Sequence, residues 1–91
     1  MSYKIIVTDI YFKKLKKFLK KHPAIVDRYC KTIEILEINP QHPSLRLHKL
    51  RGGLCEFYSI SINMEYRIVI DFIIKNDEII PVDIGTHDDV Y

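Results

Sequence analysis

Residues 66–74 read Tyr-Arg-Ile-Val-Ile-Asp-Phe-Ile-Ile, apolar or β-branched at nearly every position. Such a run lacks the inside/outside alternation of a half-exposed strand and fits a central strand of a sheet. The rest of the chain must supply its neighbours and its cover. Residues 54–62 alternate in part, with Phe57 and Ile60 or Ile62 placed to face inward and Tyr58, Ser59 and Ser61 between them. Asn63-Met64-Glu65 reads as the hairpin tip joining that segment to the central strand. Lys75-Asn76-Asp77 is a second turn, and residues 78–84 make a final strand. Upstream, residues 45–50 alternate with period two between a loop at 40–44 and a Gly52-Gly53 turn.

The cover comes from the first half. Residues 3–7, Tyr-Lys-Ile-Ile-Val, read as a short strand. Thr8 or Asp9 can then cap a helix by accepting from a free amide of its first turn. Phe12, Leu15 and Phe18 or Leu19 recur at helical spacing, and Lys13, Lys14, Lys16, Lys17, Lys20 and Lys21 fill much of the other face. His22-Pro23 ends the helix, because a residue before proline avoids helical backbone angles. Pro23 suits the first turn of a second helix, in which Val26, Tyr29, Ile33 and Leu36 repeat until Asn39-Pro40 stops it. Two helices with so short a link form an antiparallel hairpin that needs an apolar surface to cover. The predicted order is β-α-α-β-β-β-β. It is an α+β fold with an N-terminal strand, a two-helix hairpin and an antiparallel sheet of about four strands, in one domain spanning 1–91.

Ninety-one residues leave room for one core. Apolar residues at 47% and charged residues at 29% exclude disorder and fibrous repeats. Cys30 and Cys55 have no Cys-x-x-Cys spacing and are expected to be small core residues. No pair among His22, His42, His48 and His87 has finger spacing, so no metal or other cofactor is expected. No apolar run approaches the roughly 18–20 residues of a membrane span, and the first residues lack a signal-peptide pattern, so a cytoplasmic protein is expected. The net charge of +2 hides an asymmetry: residues 1–51 hold 12 Lys and Arg against 4 acids, and residues 52–91 hold 2 against 8. A half at +8 facing a half at −6 points to a polyanionic partner, or to one with mixed charges.

Three places can carry chemistry. The ending Gly85-Thr86-His87-Asp88-Asp89-Val90-Tyr91 puts an imidazole, two carboxylates and a phenol at a sheet end, although Thr86 or Asp88 would also serve simply to close a turn. Histidine titrates near neutrality and so serves as general acid or base. Arg67 sits in the most apolar strand, where a guanidinium must reach an edge, pair with Asp71 or Glu65, or meet a ligand phosphate. His48-Lys49-Leu50-Arg51-Gly52 places His48 and Leu50 on one strand face and Lys49 and Arg51 on the other, a basic pair able to grip a phosphate backbone. His22 and His42 stand beside prolines at a helix end and in a loop, and no role is assigned to them.

This order of elements, with His48-Lys49-Leu50-Arg51-Gly52, Glu65-Tyr66-Arg67-Ile68-Val69 and the ending Gly85-Thr86-His87-Asp88-Asp89-Val90-Tyr91, resembles the RelE/ParE superfamily of bacterial toxins. It is most similar to the YafQ-type RelE/StbE branch, over the whole chain. The resemblance implies a type II toxin: an endoribonuclease that enters the ribosomal A site and cuts mRNA, held inactive by a cognate antitoxin protein, monomeric when free and in a higher-order complex with its antitoxin. It implies His87 as the catalytic histidine, Arg67 as the strand arginine on the scissile phosphate, and Tyr91 as the C-terminal aromatic. His48 matches a further histidine that affects activity, Glu65 stands where the branch has Asp, and Tyr66 where it has an aromatic. Ser59 and Ser61 replace lysines of RelE proper, so a lysine-based mechanism is not expected.

The expected chemistry is metal-free. The substrate's own 2′-hydroxyl attacks, His87 moves a proton with help from His48 or Glu65, Arg67 stabilises the charged phosphorane-like transition state, and Tyr91 or Tyr66 stacks on a base. Lys49 and Arg51 would hold the backbone, and the lysines of the first helix would bind ribosomal RNA. Two alternatives share the resemblance: a ParE-like inhibitor of DNA gyrase without catalysis, and a degenerate toxin that acts only as a binding partner.

Overall fold

The computed structural model describes residues 2–50, 57–73 and 76–86. The elements are β1 (Lys4–Ile5), α1 (Asp9–Lys21), α2 (Val26–Ile38), β2 (His48–Lys49), β3 (Tyr58–Ser61), β4 (Tyr66–Ile73) and β5 (Glu78–Thr86), with single 3-10 turns at Pro23–Ile25 and Pro43–Leu45. The five strands form one sheet in the order β1-β5-β4-β3-β2, which makes β4 the central strand, as the sequence predicts. The turn residues Gly52, Gly53 and Lys75 lie outside the described residues.

Local chemistry explains most boundaries. The Thr8 hydroxyl accepts from the Tyr11 amide at 3.2 Å and caps α1. Lys20 and Lys21 occupy the last turn of α1, where the helix dipole favours cations. At the β3–β4 tip the Asn63 side-chain oxygen accepts from the amides of Glu65 (2.9 Å) and Tyr66 (2.8 Å), which closes the turn without a glycine. His42 caps the second 3-10 turn, its Nδ1 accepting from the Ser44 amide at 3.1 Å.

The expected antiparallel sheet of four strands is β2 to β5, and the N-terminal β1 joins it parallel to β5, with Lys4 opposite Glu78 and Ile5 opposite Ile79. Three expectations need correction. Residues 45–50 form a strand only at His48–Lys49, because Leu45 closes a 3-10 turn and Arg46 takes a left-handed backbone at φ 50°. On α1 the buried face is Tyr11 and Phe18, and Phe12 is 50% exposed beneath the Lys16 ammonium, 5.6 Å from its ring centroid. On α2 Tyr29, Thr32 and Leu36 turn inward while Cys30 is exposed, since it follows Tyr29 by about 100° around the helix. Cys55 lies outside the described residues. No described helix is long and apolar enough to cross a membrane.

Both helices pack on one sheet face. Ile60, Ile68 and Ile84 are opposed on neighbouring strands and bury there with Tyr11, Phe18, Tyr29 and Leu36. At the centre of this layer the Tyr11 and Tyr29 hydroxyls lie 2.9 Å apart and join α1 to α2. Burial first, then the charge of Tyr29, pushes the Tyr11 phenol far above 10.0; burial likewise raises Tyr29. Tyr11→Phe alone leaves a buried hydroxyl without its partner and is expected to cost about 1–3 kcal/mol in urea unfolding, whereas the Tyr11→Phe/Tyr29→Phe double variant costs less than the sum of the singles. Because the folded phenols keep their protons above the unfolded value of 10.0, this contribution is complete below pH 10 and lost as pH rises further. Alkaline unfolding of the double variant should therefore shift to higher pH.

Candidate active site

Residues directly opposed across strands share a sheet face. On the face away from the helical core the register aligns Ser61, Arg67 and Gly85 in one row and His48, Ser59, Val69 and Asp83 in the next; Asp83, at the β5 edge, pairs with Lys14 rather than Arg67. Arg67 is therefore flanked by a glycine and a serine. The Ser61 hydroxyl donates to the Asn63 carbonyl at 2.6 Å, which directs it toward the hairpin tip.

Arg67 is half-buried, and its Nε is fully buried and meets no acceptor among the described residues. The cross-sheet ion pair open to Arg67 from sequence is not made there: Lys14–Asp83, at 3.7 Å, is the one ion pair among the described residues. Asp71 shares the face but sits four residues along the strand, about 13 Å away at the usual rise per residue. Glu65 is exposed at the hairpin tip. A buried, permanently charged donor without an acceptor is costly, and an anion on this face would satisfy it.

His48 belongs to the same face. From strand spacing and rise its Cα lies about 12 Å from that of Arg67, close enough for two long side chains to meet one ligand. Its Nδ1 is 3.1 Å from the Arg46 carbonyl oxygen, which can only accept, so Nδ1 carries a proton and donates it there.

Other candidates are not brought together with these. Lys49 is opposite Tyr58, on the other face from His48. Tyr66 is opposite Thr86 on the helical side, its ring packed at 5.1 Å on Phe18 and 4.8 Å on His22. Strand alternation thus separates the Tyr66 ring from Arg67. Its hydroxyl lies 3.1 Å from His22 Nδ1, and a side-chain hydrogen bond with Glu65, then burial, then the Glu65 charge raise the phenol. Arg51, His87 and Tyr91 lie outside the described residues. β5 ends at Thr86, one residue beyond the glycine opposite Arg67.

Sequence reasoning missed His22. It stacks on Phe18 and Tyr66 and helps line a pocket with Lys14, Lys17 and Lys21. Its place at the end of a lysine-rich helix is the signal for it in the sequence, and the adjacent proline by itself marks only a helix stop.

A two-helix layer on one side of a five-stranded sheet, with an arginine-bearing face on the other, defines a known architecture. No protein-family model and no curated protein matches the sequence. Solved structures do. A chain of the E. coli DinJ–YafQ toxin–antitoxin complex aligns with a TM-score of 0.77 at 15% identity, covering 100% of this chain and 99% of that one. A chain of the archaeal RelE–RelB complex from Pyrococcus horikoshii gives 0.71 at 22%, covering 94% and 96%. The YoeB/ParE toxin from Agrobacterium tumefaciens gives 0.74 at 15%, covering 92% and 98%. The protein has the fold of the RelE/ParE toxin superfamily, YafQ type included.

Proposed function

We propose that the protein is the toxin of a type II toxin–antitoxin system and an endoribonuclease that cleaves mRNA on the ribosome without a metal. The observation that carries this reading is Arg67: a guanidinium on the central strand, in register between a glycine and a serine, with a buried Nε that finds no acceptor among the described residues. A phosphodiester supplies the missing acceptors, and Arg binds it in a planar fork. His48 on the same face and His87 two residues after Gly85 are the proton carriers for 2′-hydroxyl attack and departure of the 5′-oxygen. Tyr91 is the stacking aromatic. Glu65 and Tyr66 form a polar pair at the hairpin end. Positioning of the mRNA by the ribosome supplies what one arginine and one or two histidines lack.

The partner in the cell is a cognate antitoxin whose acidic residues and apolar anchors meet the basic half of the chain; the fold's occurrence in complexes named DinJ–YafQ and RelE–RelB supports this. In vitro translation with primer extension tests the activity. Cleavage in phase with codons is the expected result. Uncut mRNA with inhibited DNA supercoiling would instead indicate a gyrase poison, and inactivity in both assays with antitoxin binding intact a degenerate toxin.

A further inference from the structure

A second basic feature lies away from Arg67, between α1 and the outer edge of β5. Lys14, Lys17 and Lys21 repeat at three and four residues, so one stripe of the helix carries all three. With His22 they line a cavity of about 300 Å³ whose floor is Asp83, Ile84, Gly85 and Thr86. Asp83 is the one acid in it, and it is engaged: its Oδ1 accepts from the Ile84 amide at 2.8 Å and lies 3.7 Å from the Lys14 ammonium. Lys17 and Lys21 form no ion pair among the described residues. The His22 ring is held by Phe18 and Tyr66, with Nδ1 against the Tyr66 hydroxyl, so its Nε2 is the nitrogen left for a ligand.

We propose that this pocket binds backbone phosphates of single-stranded RNA and continues the substrate path past Arg67. The proposal rests on the ribonuclease reading above and adds a second binding region to it. Three observations select the ligand. The stripe extends about 10 Å along the helix, longer than one phosphate and suited to a chain of them. The apolar residues of the lining, Phe18 and Ile84, are already buried, so an acidic peptide would find charge but no seat for an apolar anchor. Gly85 in the floor is the register partner of Arg67, so the pocket on the helical side and the arginine on the other face lie at the same end of the sheet, and a strand reaching both passes around the β5 edge.

The test is binding of a single-stranded RNA of about ten nucleotides, blocked against cleavage by 2′-O-methyl groups, across a salt series. Lys17→Gln/Lys21→Gln is expected to weaken binding and flatten the log–log salt slope by about 0.7 for each phosphate no longer neutralised. Lys13→Gln/Lys20→Gln removes the same charge from α1 outside the pocket and should change the slope by less than half as much. Equal changes in the two variants, or antitoxin binding abolished while RNA binding is kept, overturn the proposal. Ribosomal cleavage is measured in parallel. Wild-type cleavage with an unaltered slope in Lys17→Gln/Lys21→Gln removes the pocket and leaves the ribonuclease reading standing; a wild-type protein that neither cleaves nor binds RNA removes both.

Discussion

Replacing Arg67 by Ala is expected to slow single-turnover cleavage on programmed ribosomes by about 10²–10³-fold, the usual loss for one donor to a developing oxyanion. The prediction separates chemistry from architecture because of how the side chain is placed. Arg67 makes no ion pair among the described residues, and its buried Nε is unsatisfied there. Removing a guanidinium in that position takes away a desolvation cost, so the melting temperature should hold or rise. Arg67→Lys keeps the charge but not the two-pronged geometry and should fall between Ala and wild type. A variant that melts early and cuts slowly in proportion would return Arg67 to a structural role.

Much of this arrangement is legible in sequence, for reasons that differ by element. The central strand announces itself because burial on both faces leaves no room for polar alternation, and Tyr66–Ile73 occupies the middle of the sheet. The helix ends are legible because caps and prolines act locally: Thr8 caps α1 and Asn39 ends α2 as expected, while Pro23 opens a 3-10 turn and α2 begins only at Val26. The direction of β1 is not legible, since its pairing with β5 depends on how the helical hairpin returns the chain. Nor is the switch from Phe12 to Tyr11 on α1. Both rings fit an apolar stripe, and what decides is the hydroxyl partner Tyr29 on another helix.

The site divides the same way. Strand alternation lets the sequence pair His48 with a face, but which face also carries Arg67 is a matter of register across β3, through Ser59 and Val69. Tyr66 and Arg67 are adjacent in sequence and on opposite sides of the sheet, so a motif that groups them groups two environments. His22 is not legible because its partners, Phe18 and Tyr66, include one from a distant part of the chain.

Replacing His87 by Ala is expected to lower cleavage by about 10²-fold or more with mRNA and ribosome binding kept, within the range for a lost general acid or base. The two histidines that belong to the proposed chemistry are not equivalent. In the proposed division of labour His48 receives the 2′-hydroxyl proton on Nε2, since its Nδ1 is engaged with the Arg46 carbonyl. The leaving 5′-oxygen then needs a donor, and His87, two residues past the glycine opposite Arg67, is the candidate for it. This division gives the two variants different pH profiles: His87→Ala removes the limb in which activity falls as pH rises, and His48→Ala removes the limb in which it falls as pH drops. Cleavage with a substrate carrying an activated 5′-thio leaving group adds a sharper contrast, since that group departs without protonation and should rescue His87→Ala but not His48→Ala. If His87→Ala cuts the ordinary substrate at the wild-type rate while bound, the proton donor is another group, and Glu65 or His48 takes the role.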